Sequence, residues 1–330
     1  MKTPIKKQPA KPFLKWAGGK TQLLPIIKQN LPITKIEDGT IKKYVEPFVG
    51  SGAVLFEIMN EFPQIEKAYI FDINPELINV YISIKENVEE LVFYLKQYEE
   101  DYLSVDPHKS RKEKYYEKRE QFNENLKYFA YHKGYFKPNI ERAAQFIFLN
   151  KTCFNGLYRV NKKGEFNVPM GQYKNPKICN QSALEAAHEF LNSKVEISLG
   201  DYRDSNHVVD GSTFVYFDPP YRPISKSSSF TSYSKFDFND ENQKDLSNYF
   251  NELNAKKAYL MLSNSDPKNI DPNDNFFDEL YKNYQEGILR VSAKRSINSI
   301  ASKRGEITEL LIKNYYENGE FIWNPSLTGK

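Results

Sequence analysis

A short apolar run at Lys43–Phe48 leads directly into a glycine-rich EPFVGSG and then into AVLFEIMNEF, whose apolar residues recur with helical spacing. A second run, Ala68–Phe71, stops at Asp72 and gives way to PELINVYISIKEN, again helical in pattern. Strand then helix, twice in succession, predicts a parallel α/β sheet. The pattern changes after residue 88. Residues 88–150 are rich in Lys, Glu and Tyr with helical spacing and no strand signal, so most of these charges read as a solvated helix face. Asn, Gly and Pro recur around short aromatic runs at 154–180, which suits a hairpin and loop. Strand signals return at Val195–Leu199, Thr213–Phe217 and Ala258–Ser263, with a last strand near Thr308–Tyr315. The expected organisation is a sheet domain from residues 1–73 and 195–330, interrupted by a mostly helical insert at 74–194 with a hairpin near 154–176.

The chain is long enough, at 330 residues, to bury a substantial core. It contains no run of about 18 apolar residues of the kind that spans a membrane. Its basic start, MKTPIKKQPAKPF, lacks the apolar centre of a signal peptide, so a cytoplasmic location without membrane contact is expected. Cys153 and Cys179 have no metal-like spacing and the four histidines are scattered, so neither a disulfide nor a metal site is expected. The net charge of +3 is too small to announce a polyanionic partner, but its distribution says more. Between 150 and 180, Lys151, Arg159, Lys162, Lys163, Lys174 and Lys177 face one acid, Glu165; between 291 and 304, Lys294, Arg295, Lys303 and Arg304 face none. Such patches suit phosphate, and on charge alone they suit a solvated surface equally well.

Three motifs carry chemistry. In EPFVGSG, Gly50 and Gly52 would let backbone approach a ligand, and Asp72 closes the next strand, where an acid accepts ribose hydroxyls. Leu55 stands where a dinucleotide fingerprint needs its third glycine, which favours a cofactor without a pyrophosphate. A tight turn plus a cap explains the same residues. KWAGGKT at 15–21 is no phosphate loop, because Leu14 replaces the first glycine and no strand precedes it. Trp16, Gly18, Gly19 and Lys20 either form a nest with a stacking surface and a cation, or dock the N-terminal segment by its tryptophan. FVYFDPPY at 214–221 is the sharpest: an apolar run ends on Asp218 and two prolines that cannot continue a sheet ladder. Pro219 and Pro220 withdraw N–H donors, Asp218 accepts only, and Tyr221 adds a ring face. Acceptors beside a stacking ring suit the exocyclic amine of a planar base, a poor nucleophile whose lone pair they would localise. Such an amine needs an electrophile with its own leaving group; a methyl sulfonium would serve.

With these residues in place, the sequence resembles the DNA adenine-N6 methyltransferases of the Dam type, the D12 class in the α group of amino-methyltransferases. The match runs through FLKWAGGK (13–20), EPFVGSGAV (46–54), DINPELIN (72–79), FNGLYRVN with GEFNVPMGQYKNP (154–176) and FDPPY (217–221), and extends to FTSYS (230–234) and SNS (263–265). The resemblance implies a Rossmann-like S-adenosylmethionine-dependent sheet with helices on both faces and an inserted, mainly helical DNA-recognition domain. It implies that Trp16, Lys20, Gly50, Gly52, Asp72, Asp201, Tyr202 and Asp218 bind S-adenosylmethionine, without a metal. It gives Asp218, Pro219, Pro220 and Tyr221 the catalytic pocket. Relatives with NGL-x-R and FNVP-x-G-x-Y read GATC. By that similarity Arg159 reads guanine, Asn155, Leu157, Pro169 and Tyr173 lie nearby, and Lys15 contacts the outer base pair. The target adenine must leave double-stranded DNA, at a cost of a few kcal/mol.

The implied activity is site-specific adenine methylation within a restriction–modification system, beside a cognate endonuclease that acts on the same site without forming a stable complex with this chain. The alternatives are an orphan regulatory methylase or a DNA-binding regulator without activity. A cytosine-C5 enzyme needs a Pro-Cys nucleophile, and Cys153 follows Thr152 while Cys179 follows Ile178. Cytosine-N4 enzymes more often place Ser where Asp218 stands, and protein-glutamine methylases place Asn.

Overall fold

Strands β1 (Lys43–Glu46), β2 (Lys67–Asp72), β3 (Val195–Leu199), β4 (Thr213–Phe217), β5 (Tyr259–Ser265), β6 (Ile288–Lys294) and β7 (Glu306–Lys313) form one sheet in the order β3-β2-β1-β4-β5-β7-β6. The computed structural model describes residues 8–16, 18, 20–106, 110–128, 138–222, 238–294 and 306–323. Gly19, FTSYS at 230–234, and Arg295, Lys303 and Arg304 of the second basic patch lie outside them. The first five strands are parallel, while β7 runs antiparallel to both neighbours. β1 has β2 on one side and β4 on the other, so the chain leaves β1 in one direction and returns past it to β4. That reversal opens a crevice at the C-terminal ends of β1 and β4.

The helices are α1 (Leu24–Gln29), α2 (Ile33–Glu37), α3 (Ala53–Glu61), α4 (Pro75–Leu103), α5 (Ser110–Glu124), α6 (Ile140–Thr152), α7 (Gln181–Lys194), α8 (Asp240–Ala255) and α9 (Phe276–Leu280). Side chains alternate across the sheet as the pleat requires. Phe214 and Tyr216 of β4 join a buried cluster with Leu55 of α3, Tyr81 of α4 and Phe146 of α6. Val215 and Phe217 join another on the opposite face, with Leu246 and Phe250 of α8 and Phe277 of α9. Helices therefore cover both faces, as the resemblance implies. The whole stretch between β2 and β3 carries α4 to α7, and its buried residues are continuous with the sheet's first face.

The strands at Val195–Leu199 and Thr213–Phe217 lie where the sequence places them. The sequence gives no sign of β6. ILRVSAK occupies a sheet edge, and none of residues 288–292 is fully buried, so the apolar pattern that marks the inner strands is missing. The helix expected at PELINVYISIKEN continues to Leu103, and its expected end coincides with a break, Asn87 at φ −150° and ψ 67°. Its start is well specified: Pro75 presets the first turn, and the Asn74 side chain accepts from Glu76 N and Leu77 N.

A buried ion pair ties α4 to α6. Arg142 donates from Nε to both Glu76 carboxylate oxygens (3.1 and 3.0 Å), from one terminal nitrogen to Glu76 Oε1 (2.6 Å) and from the other to Phe122 O (2.8 Å). Arg142→Ala removes the counter-charge of the buried Glu76 carboxylate and is expected to cost about 3–5 kcal/mol of unfolding free energy, read by urea denaturation.

Candidate active site

The glycine motif is shaped by contact as much as by conformation. Gly50 (φ 49°) has the Trp16 indole so close that a Cβ would meet its Cδ1 at 3.0 Å, and a Cβ on Gly52 (φ 72°) would meet the Tyr81 hydroxyl at 2.6 Å. The Tyr81 hydroxyl donates to Gly50 O (3.1 Å). Only glycine lets Trp16, the loop and α4 converge there. Asp72 is held at the same place: its Oδ2 accepts from Gly50 N (3.2 Å) and its Oδ1 from Asn74 N (2.8 Å). Burial pushes the Asp72 carboxyl up to about 6 against these N–H groups. Gly200 N donates to Asp72 O, which brings Asp201 and Tyr202 alongside. The Tyr202 ring stacks on Phe48 (5.4 Å, 27°), and its buried hydroxyl has no partner among the described residues. Asp201 caps the following turn by accepting from Arg203 N (3.1 Å).

Asp218 follows the end of β4, and Glu46 ends the neighbouring strand β1. Its Oδ1 takes both the Lys20 ammonium (2.6 Å) and the Ser263 hydroxyl (3.1 Å). No hydrogen bond from a described residue reaches its Oδ2. Burial raises the Asp218 carboxyl above its ordinary value, and Lys20 and Ser263 pull it back. Glu46 is almost fully buried and bonded to the Tyr44 hydroxyl (2.7 Å); burial, together with the Asp218 charge, pushes its carboxyl well above the carboxylate range. Lys20 also donates to Gly18 O (2.8 Å) and lies 4.4 Å from the centre of the Tyr221 ring, whose hydroxyl donates to Glu309 Oε2 (2.7 Å) on β7.

Behind the turn, a side-chain network settles which carbonyl is open. Gln243 Nε2 of α8 donates to Pro220 O (3.1 Å), and Asn264 Nδ2 of β5 donates to Gln243 Oε1 (3.1 Å). Asn264 Oδ1 accepts from Arg222 N (3.1 Å) and Ser265 N (2.9 Å), while the Ser265 hydroxyl donates to Arg222 O (2.8 Å). The Arg222 guanidinium is clamped by Asp240 and Asp274. Pro220 O is thus occupied, whereas Pro219 O accepts from no described residue. Glu46, Ser263, Gln243, Asn264 and Glu309 are absent from the sequence-derived site. SNS marks two of them by motif without a role, and Gln243 and Glu309 carry no local signal.

The candidate recognition residues form a second group that adjoins the first through neighbouring Lys15 and Trp16. Residues 153–171 fold back on themselves, with Phe154 N to Pro169 O (2.8 Å), Gly171 N to Thr152 O (2.8 Å) and Asn167 N to Arg159 O (3.1 Å). Asn155 takes a left-handed φ of 55°, which turns it outward beside the exposed Phe154. Lys15 is anchored by the buried Asn150, which bonds its N, its O and Gly156 O, and its ammonium lies 4.0 Å from the Tyr173 ring centre. Arg159 is exposed, with Nε donating to Asn167 Oδ1 (2.8 Å). Asn155, Arg159 and Pro169 are exposed and Leu157 half-buried on this turn. Trp16 stacks on Tyr158 (5.9 Å, 13°), so the hairpin also packs against the first group.

Among the described residues no cluster of His, Cys, Asp or Glu could hold a metal, and no helix is long and apolar enough to cross a membrane. Cys153 and Cys179 are buried free thiols, and burial pushes Cys153 up to about 12, away from nucleophilic use. The donor set suits a nucleoside-bearing cofactor: a fixed carboxylate for hydroxyls at Asp72, rings at Phe48 and Tyr202, and an orphan hydroxyl.

Residues 16–297 match the family described as D12 class N6 adenine-specific DNA methyltransferase. The chain is 49% identical to the type II methyltransferase M.MjaIII of Methanocaldococcus jannaschii, over 92% of this chain and 99% of that protein. It is 38% identical to the type II methyltransferase M1.LlaDCHI of Lactococcus lactis subsp. cremoris, over 92% and 95%. With the DNA adenine methylase of Escherichia coli (strain K12) it shares 33% identity, over 91% and 93%.

Proposed function

The chain belongs to the D12 class of N6 adenine-specific DNA methyltransferases, and on that premise we propose that it methylates adenine in GATC after the base has swung out of the duplex onto the DPPY turn. One observation carries the reading. Among the described residues, Asp218 Oδ2 and Pro219 O are the acceptors left open once Lys20, Ser263 and Gln243 have taken their neighbours. Two acceptors and a ring are what an exocyclic amine on a flipped base requires.

S-adenosylmethionine supplies the electrophilic methyl of a sulfonium. Asp72, Gly50, Gly52, Trp16, Lys20, Asp201 and Tyr202 hold it along the ends of β1, β2 and β3. Asp218 and Pro219 accept the two amine hydrogens and draw the nitrogen lone pair out of conjugation with the ring. Positive charge then develops on that nitrogen as it takes the methyl, and the carboxylate meets it in a water-poor crevice. One amine proton is lost afterwards, with Asp218 placed to take it. Tyr221 stacks on the base, returning about 1–3 kcal/mol of the few spent on unstacking. Residues 74–194 form the recognition domain, whose Asn155, Leu157, Arg159, Pro169 and Tyr173 face the major groove together with Lys15 of the sheet domain. Relatives such as the type II methyltransferases M.MjaIII and M1.LlaDCHI favour a restriction–modification setting over an orphan regulatory role. The test is methyl transfer from labelled cofactor to duplexes carrying GATC and each single-base variant, with the product base identified by mass spectrometry. Label on cytosine, or equal transfer to all variants, overturns the reading.

Asp72 gives this site a pH signature. Ribose hydroxyls need the carboxylate, and the carboxyl titrates at about 6. Affinity for S-adenosylhomocysteine is therefore expected to fall about tenfold between pH 7 and pH 5 by calorimetry, since about a tenth of the group stays ionised at pH 5. Asp72→Asn binds more weakly throughout and loses that slope.

A further inference from the structure

We propose that Gln243 is a positioning residue for methyl transfer, acting through the Pro220 carbonyl on the open carbonyl of Pro219. The inference rests on the proposed role of the DPPY turn. Gln243 is fully buried on α8, and its amide orientation is dictated from the far end of its network. Arg222 N and Ser265 N both donate to Asn264 Oδ1, so Asn264 must present Nδ2 to Gln243. Gln243 must then present Oε1 to Asn264 and its NH₂ to Pro220 O. The bond fixes the plane of the Pro220–Tyr221 peptide. Proline locks φ at position 220, so a single soft torsion, ψ of Pro220, separates that anchored plane from the Pro219 carbonyl. One long side chain thereby aims an acceptor that must meet an amine hydrogen, and it also sets the base of the Tyr221 ring.

Gln243→Glu tests this with minimal change in shape. A carboxylate still accepts from Asn264 but turns a second acceptor on Pro220 O; a protonated carboxyl donates again. The charged groups on the elements packed around position 243 are Asp240, Glu241, Lys244, Asp245 and Glu252 of α8 and Asp218 and Arg222 of the turn, while β5 brings none. Arg222 is paired with Asp240 and Asp274, Lys244 with Glu241, and Asp218 with Lys20. A new buried carboxyl beside them titrates high.

Single-turnover methyl transfer by Gln243→Glu is expected to fall about tenfold to a hundredfold below wild type at pH 8.5. The ratio to wild type recovers as pH falls toward about 6. Gln243→Met, which cannot titrate, stays slow by the same factor at every pH. Dissociation constants for S-adenosylhomocysteine and for duplex stay within about threefold of wild type, because Gln243 is fully buried behind the turn with its amide taken by Pro220 and Asn264. A second readout needs no reaction. Pro-Tyr occurs once in the sequence, at 220–221, so carbonyl-¹³C proline with ¹⁵N tyrosine gives a single resonance for the Pro220 carbonyl. It is expected to move upfield in Gln243→Glu at pH 8.5, as a carbonyl does on losing a donor, and to return at low pH. A pH-independent ratio, an unmoved resonance, or a rate loss that tracks lost binding overturns the inference. If Gln243→Glu fails to fold, Gln243→Met decides: slow transfer with intact binding supports positioning, and a rate within about twofold of wild type refutes it. A wild-type enzyme that leaves adenine unmethylated overturns the functional reading itself, whereas an insensitive ratio in an active enzyme overturns only the role of Gln243.

Discussion

Asp218→Ala is expected to lower single-turnover methyl transfer by about two orders of magnitude or more at saturating cofactor and DNA. Among the described residues, the open Oδ2 is the charged acceptor that the turn leaves free, and removing it leaves Pro219 O to hold the amine alone. Asp218→Asn separates charge from geometry. Its amide oxygen can still accept, but the charge that meets the developing ammonium is gone, so a large part of the loss should remain. The pH profile adds a sign. Burial holds the wild-type carboxyl above its usual range, so activity should climb as pH rises through that raised value and ionises the acceptor. Asp218→Asn should lose this limb, and at saturating cofactor the affinity change at Asp72 does not replace it. Turnover near wild type in either variant would remove the amine-acceptor mechanism altogether.

What the sequence revealed and what it hid follow from chain distance. The central strands were legible because β4 and β5 are buried on both faces, which produces unbroken apolar runs such as FVYF. Asp72 and Asp218 were legible because an acid that ends such a run stands where a parallel sheet presents ligands. The left-handed Gly50 was legible as a loop glycine, but its reason, the Trp16 indole packed against it, lies 34 positions away (50 − 16). The second tier of the site was hidden altogether. Gln243 reaches Pro220 across 23 residues and Glu309 reaches Tyr221 across 88, and neither pairing exists until the sheet order is known. β7 slots antiparallel between β5 and β6 and sets Glu309 opposite Ser265, so the tyrosine partner emerges only from that pairing, whereas β6 was missed for want of an apolar run.

Arg159→Ala is expected to relax sequence choice more than it weakens binding. The hairpin holds this side chain exposed and fixes it by Nε to Asn167 Oδ1, while the bond from its terminal nitrogen to Asn167 O is long at 3.5 Å. The outer edge of the guanidinium is left to meet O6 and N7 of one guanine, a bidentate contact worth about 1–3 kcal/mol of discrimination. Losing it should reduce preference for GATC over the variant at that base pair by roughly fivefold to a hundredfold in kcat/KM, with preference at the other pairs retained. Arg159→Lys should behave like alanine in this assay, because an ammonium keeps the charge without the fork. Asn167→Ala should lie between, since it frees the guanidinium without deleting it. Binding to a duplex lacking the site should change little, and the slope of log affinity against log salt should hold, because a base contact releases no counterions. The opposite pattern, intact preference with a uniform fall in affinity and a salt slope lower by about one, would make Arg159 a phosphate contact and leave the guanine to another residue on the 153–171 turn.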